Sequence, residues 1–258
     1  MSQVDSNKVE LLAPLKNNKS LNAVLNIADA VYFGVEDLNM RAFSDNFKLK
    51  DLQSIVNICH NNNIKVYLTT NVVVYENEFP IINKILTKAY EAEVDAVIVH
   101  DIGVINLIKE KGLEFHISTQ ASISNYGSAK FYENLGAKRL ILARELSLNQ
   151  IKEIKNKLST AEIETFVHGA QCTSISGRCY FSAEFCGGQK YSANRGKCVQ
   201  PCRGNCQGRS KKSGKPAFTE IDLIAVVNRP PPVNEIFPRT PDFDAENRYC
   251  TTQRNAPP

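Results

Sequence analysis

Apolar residues fall into two rhythms along this chain. Short, nearly continuous runs rich in β-branched residues at Val9–Ala13, Ala30–Phe33, Lys65–Thr69, Ala96–His100, Glu114–Ser118, Arg139–Ala143 and Ile163–His168 predict strands. Between them, Lys19–Ile27, Leu49–Asn61, Phe79–Ala92, Gly103–Lys111, Ser128–Leu135 and Ser147–Leu158 have the apolar spacing of amphipathic helices, the last with Ser147 as a candidate N-cap behind Leu146. Strands that are apolar on both faces belong to a parallel sheet with helices over one side and a filled interior on the other. Seven βα-like units, with no G-x-G-x-x-G after the first strand, favour a TIM-like (β/α) barrel over a doubly wound sheet.

After about Gly204 the rhythm stops, and eight of the eleven prolines lie beyond that point. Residues 1–203 are therefore expected to form the barrel domain, with a cysteine-rich loop at 164–203, and 204–258 an irregular tail. Only Glu220–Val227 reads as a further strand, and Arg229-Pro-Pro-Pro232 ends it. The barrel is expected to be incomplete at its C-terminal end. A truncated or frame-shifted product, not native to the fold after residue 203, would account for the change.

Composition narrows the class. The 258 residues are 43% hydrophobic and 22% charged, with a formal charge of +4, ordinary values for a globular protein. No apolar run approaches the roughly 20 residues of a membrane span. The start carries Asp5 where a signal peptide has basic residues, so a cytoplasmic protein without membrane contact is expected. Lys190, Arg195, Lys197, Arg203, Arg209, Lys211, Lys212 and Lys215 concentrate positive charge late in the chain, which permits nucleic-acid contact.

In a barrel of this kind the residues just past the strand ends collect on one face and form the site. Here they are Asn71, His100, Asp101, Thr119, Gln120, Arg144, Glu145 and His168. The segment from Glu164 to Arg203 adds five of the eight cysteines. In a reducing compartment clustered cysteines point to metal binding or catalysis. Thiolates at Cys172, Cys179, Cys198 and Cys202 suit zinc or an iron–sulfur cluster. Alternatively, Cys172 is a nucleophile activated by His168, as in a cysteine peptidase. The two are mutually exclusive at Cys172, and a thiol cluster without metal is the plainer alternative. Cys59, in a helical stretch, is expected to be a buried apolar residue.

Several segments resemble one family. They include Glu10-Leu-Leu-Ala-Pro14, Asp29-Ala-Val-Tyr-Phe-Gly34, Asn39-Met-Arg-Ala42, Val94-Asp-Ala-Val-Ile-Val99, His116-Ile-Ser-Thr-Gln-Ala121 and Leu142-Ala-Arg-Glu-Leu-Ser147. The densest stretch holds Phe166-Val-His-Gly-Ala170, Cys172, Ser176-Gly-Arg-Cys179, Asn194-Arg-Gly196, Cys198 and Gln200-Pro-Cys-Arg203. Over roughly residues 9–203 the chain resembles the collagenase-like peptidase family U32, of unclassified mechanism. That family also contains proteins of prephenate-dependent RNA hydroxylation and of oxygen-independent ubiquinone hydroxylation.

The resemblance implies a TIM-like barrel and a [4Fe–4S] cluster with ligands at Cys172, Cys179 and Cys198. Around Glu220-Ile-Asp-Leu-Ile224 the family's fourth cysteine is missing, so Cys202, Cys206 or Cys250 would have to replace it. Two functions compete: a collagenase-like protease acting on peptides through Cys172 and His168, and an iron–sulfur protein for tRNA or rRNA hydroxylation. In the second, Arg41 and Arg144 clamp a small acid such as prephenate, since a guanidinium fork suits a carboxylate, and Gln120 and Glu145 are the further substrate-binding candidates. An inactive truncated accessory protein is the third reading.

Overall fold

The computed structural model describes residues 9–35, 38–168 and 172–203. Within them lie seven strands: β1 (Leu12–Pro14), β2 (Ala30–Phe33), β3 (Lys65–Thr69), β4 (Ala96–Val99), β5 (Phe115–Ile117), β6 (Arg139–Ile141) and β7 (Glu162–Glu164). Every neighbouring pair is parallel and the spatial order follows the chain, β1 to β7. Parallel strands need a crossover each. Six helices supply them: α1 (Asn18–Val24), α2 (Leu52–Asn61), α3 (Phe79–Glu91), α4 (Ile102–Glu110), α5 (Tyr126–Leu135) and α6 (Leu148–Lys157). The sheet curls into an incomplete barrel among the described residues, as the sequence predicts.

The period-two alternation of each strand divides its side chains between two cores. Val31, Phe33, Val66, Leu68, Val97, Val99, Ile117 and Leu140 face the helices and join Ile55, Leu86, Ile105 and Ile108. Ala30, Tyr67, Ala96, Ile98 and Ile141 line the concave side, with Leu12 and Tyr32 packed on them. Cys59 is fully buried in the helix-side core, where burial and the nearby Asp95 push its thiol up to about 11.

Helix starts follow local chemistry. Ser147 caps α6 as expected, accepting from the Gln150 N–H while Gln150 reaches back to the Ser147 N–H at 2.8 Å. Asp101, a strand-end candidate, is the N-cap of α4 and accepts from the Val104 N–H at 3.0 Å.

Several boundaries differ from expectation. The first strand starts at Leu12 rather than Val9, because Leu11 bonds to Asp29 and Glu10 turns toward Arg139. The seventh ends at Glu164, after which Phe166, Val167 and His168 are exposed. Past residue 180 the chain makes a short helix, α7 (Phe181–Cys186), and 3-10 turns that no periodicity announced. The expected irregular tail, the strand at Glu220–Val227 and the truncation reading lie outside the described residues.

At the N-terminal end of the barrel, Arg139 ties distant elements together. Its guanidinium donates to Glu10 at 2.6 Å and to Glu162 at 2.6 Å, and Tyr67 Oη donates to Glu10 at 2.8 Å. These bonds hold the Glu10 carboxyl well below the usual range although burial opposes them. His116 packs edge-on against Tyr67 with ring centres 4.6 Å apart, and its burial, aided by Arg139, lowers it to about 3, so it is neutral.

A candidate site roofed by the cysteine loop

The cysteine-rich loop after β7 crosses the C-terminal face of the sheet and touches the exits of four strands. After β2, the Phe43 N–H donates to Gly196 O at 3.4 Å. A Cβ on Gly196 would stand 2.1 Å from the Asn39 carbonyl oxygen. After β3, the Val73 N–H donates to Asn194 O at 3.1 Å. Arg195 donates to Val73 O at 2.5 Å and holds the Glu78 carboxylate with both arms, at 2.7 and 2.5 Å. After β5, Gly177 lies so close to Gln120 that a Cβ would stand 2.0 Å from its carbonyl oxygen. Gly177 and Gly196 also have φ near +71° and +72°, so glycine is required twice over.

After β6, Ser176 is the junction. It is fully buried, its hydroxyl donates to Glu145 at 2.8 Å, and it accepts from the Arg144 N–H and Nε, both at 3.2 Å. Arg144 also donates to Ser174 O at 3.4 Å. Arg144 and Glu145, expected to bind substrate, thus spend these bonds on the loop itself. The Gln120 N–H donates to Ser118 Oγ at 3.3 Å, and Asn71 bridges Met40 and Ser118, accepting at 3.1 Å and donating at 3.0 Å. Thr119 donates to Leu142 O at 3.2 Å. Arg41 lies over the Tyr32 ring, 5.9 Å from its centre, at the mouth of the concave side.

Cys172, Cys179, Cys186, Cys198 and Cys202 are all free and half-buried. Cys179 is set by its N–H bond to the Asn194 side chain at 3.3 Å. Cys198 Sγ accepts from the Gln200 N–H at 3.3 Å. Its thiol is pushed up first by burial, and Cys179, Cys202 and Cys172 are near enough for their charges to add to that rise. Four cysteines widely spaced in sequence therefore share one neighbourhood, and thiolates with N–H bonds to sulfur suit a metal cluster. Among the described residues, no three His, Cys, Asp or Glu side chains stand close enough to hold a metal ion as they are placed. His168 is exposed and makes no hydrogen bond to Cys172 among the described residues. Cys206 and Cys250 lie outside them.

Ser176, Asn194 and Glu78 are the anchoring residues that the sequence does not reveal. Their partners are 31, 15 and 117 positions away, so no local pattern marks them.

The profile of Peptidase family U32 matches residues 16–226. The chain belongs to peptidase family U32. Among relatives, an uncharacterized protease of Methanocaldococcus jannaschii is 49% identical over 200 residues, 76% of this chain and 48% of the relative. A collagenase of Porphyromonas gingivalis is 38% identical over 229 residues, 84% and 53% of the two chains. The tRNA hydroxylation protein P of Helicobacter pylori is 40% identical over 202 residues, 76% and 47%. The chain thus spans about half the length of these relatives. A solved U32 peptidase superposes with a TM-score of 0.56 at 18% identity, over 66% of this chain and 73% of that one, a likeness of fold. No helix among the described residues is long and apolar enough to cross a membrane.

Proposed function

We propose that this U32 chain carries the barrel part of an iron–sulfur protein of RNA hydroxylation, with Cys172, Cys179, Cys198 and Cys202 as ligands of a [4Fe–4S] cluster. The observation that carries the reading is the shared neighbourhood of these four free thiols around half-buried Cys198. Bringing them onto one centre requires the loop to tighten beyond its present spacing. When bound, such a cluster supplies electrons to a redox step. The chain's own residues do the rest: the Ser176, Asn194 and Arg195 anchors hold the loop over the strand ends, and Arg41 offers a guanidinium to a small acid such as prephenate. Lys190, which sits 5.0 Å over the Tyr191 ring, and Lys197 offer positive charge to an RNA backbone. A cytoplasmic location follows from an RNA substrate.

The test is anaerobic purification with iron and sulfide analysis and a visible spectrum, on this chain and on Cys172→Ala. We expect bound iron and sulfide in the parent and their loss in the variant; an iron-free parent overturns the reading. RNA binding, measured alongside, should weaken as salt rises.

Peptide cleavage is the second reading, favoured by the collagenase relative, whose match covers 84% of this chain. It requires Cys172 as a free thiolate with a base in reach. Hydrolysis of gelatin by iron-free protein, lost in both Cys172→Ala and His168→Ala, would establish it in place of the cluster.

A further inference from the structure

The cysteine loop has an outer surface as well as the inner one that grips the strand ends. A tight turn, closed by the Arg178 N–H donating to Ile175 O at 3.1 Å, brings Ile175 and Arg178 into the open just ahead of Cys179. Tyr180 follows at the start of α7. The Val199 N–H donates to Ser182 Oγ at 3.2 Å, which sets Val199 and its neighbour Cys198 against the first turn of α7. Three large apolar side chains therefore stand out around Cys179 and Cys198: Ile175 is 61% exposed, Tyr180 71% and Val199 42%. Single exposed apolar residues are ordinary, whereas a group joined by these bonds marks a contact surface.

The charges say what kind of partner fits. From Cys172 to Lys197 the chain holds four basic residues, Arg178, Lys190, Arg195 and Lys197, against one acidic residue, Glu184. Arg195 spends its charge on Glu78, and Arg178 is the exposed cation within the apolar group. A second copy of this chain would bring like charges together, so the surface selects an acidic partner. Ile175 and Val199 are aliphatic and present no ring on which a base could stack, which favours a protein over a nucleic acid. Cys172, Cys179, Cys198 and Cys202 are only half-buried, so a protein seated here lies one layer of side chains from the sulfurs. Small transient contacts, apolar at the centre and charged at the rim, are those by which electron-transfer proteins meet.

We propose that Ile175, Arg178, Tyr180 and Val199 form the docking surface of an acidic one-electron carrier protein that reduces the cluster beneath them. The proposal rests on the cluster reading above and adds the source of its electrons. The reduced carrier gives up one electron to the thiolate-held cluster and leaves in its oxidised form; no bond forms or breaks and no atom is transferred. Lys190 and Lys197 extend the positive field that steers the carrier at longer range.

The experiment uses the whole chain, purified anaerobically, with a flavodoxin and a plant-type [2Fe–2S] ferredoxin as acidic probes. Binding is titrated at low and high salt, and iron is counted in the same samples. At least one probe should bind saturably at low salt, and at least about tenfold more weakly at about 0.5 M salt. Arg178→Glu and Tyr180→Ala should each weaken binding at least about fivefold while iron content and melting temperature stay as in the parent. Ile175→Ser takes the place of either variant that fails to fold. Bleaching of the visible absorbance by reduced probe should slow in the same variants. Saturable binding by neither probe, or binding that the variants leave unchanged, overturns the proposal while the cluster reading stands on its iron. Loss of single-stranded RNA binding in these variants with probe binding intact gives the surface to RNA and overturns it as well. An iron-free parent removes the cluster reading, and the electron transfer with it.

Discussion

Glu133 shows how one side chain can hold two elements. It lies on α5 at 7% exposure, and its carboxylate accepts from the N–H groups of Ser159, Thr160 and Ala161 at 2.8, 2.7 and 2.9 Å, just before β7. Lys130 adds a bond at 2.7 Å. These donors pull the Glu133 carboxyl far below its usual range, the Lys130 bond most of all. A depressed carboxylate stabilises the fold above its unfolded pKa and loses that contribution as pH falls below about 4. Glu133→Ala should cost about 3 kcal/mol in urea unfolding at pH 7, because three N–H groups lose their acceptor. The difference between parent and variant should shrink at pH 3. Sequence periodicity puts Glu133 on a helix and no more. Cys59 was legible because its apolar neighbours are close in sequence, whereas the backbone N–H partners of Glu133 are 26 to 28 positions away.

The cysteine loop behaves as an element although only six of its described residues are α-helical. Its position comes from Ser176, Asn194 and Arg195 and from two glycines pressed on backbone. Gly177→Ala or Gly196→Ala should displace it, at a cost of about 2 kcal/mol or more, since a strained φ adds to a clash with a carbonyl that cannot move. Gly187→Ala is the comparison: φ is +101° but nothing lies within 4 Å, so only the backbone strain of about 1 kcal/mol applies. Limited proteolysis should cut residues 172–203 faster in the first two variants than in the third. The helices and most strands were readable because each writes its burial into a short period. The loop has no period, and its cysteine spacing favoured ligation over catalysis without deciding between them.

Across the molecule, Arg139 joins β6 to β7 through Glu162 and to the segment before β1 through Glu10, 129 positions away. Removing the guanidinium leaves half-buried Glu10 with only the Lys65 ammonium and the Tyr67 hydroxyl, so Arg139→Met should destabilise by about 2 kcal/mol. Thermal unfolding should show a lower midpoint in that variant, while Arg139→Met combined with Glu10→Gln should recover part of the loss. The sequence by itself determined the βα rhythm, the parallel order and the placing of polar residues at strand ends, because burial on both sheet faces makes each strand a local apolar run. It also showed that Cys172, Cys179, Cys198 and Cys202 belong to one segment. Only the tertiary structure decided that Arg144 and Glu145 grip Ser176 and that Cys172, Cys179 and Cys202 come near enough to act on Cys198. Each of these pairings closes a long loop of chain, and the curl of the sheet rather than any neighbour in sequence sets which side chains meet.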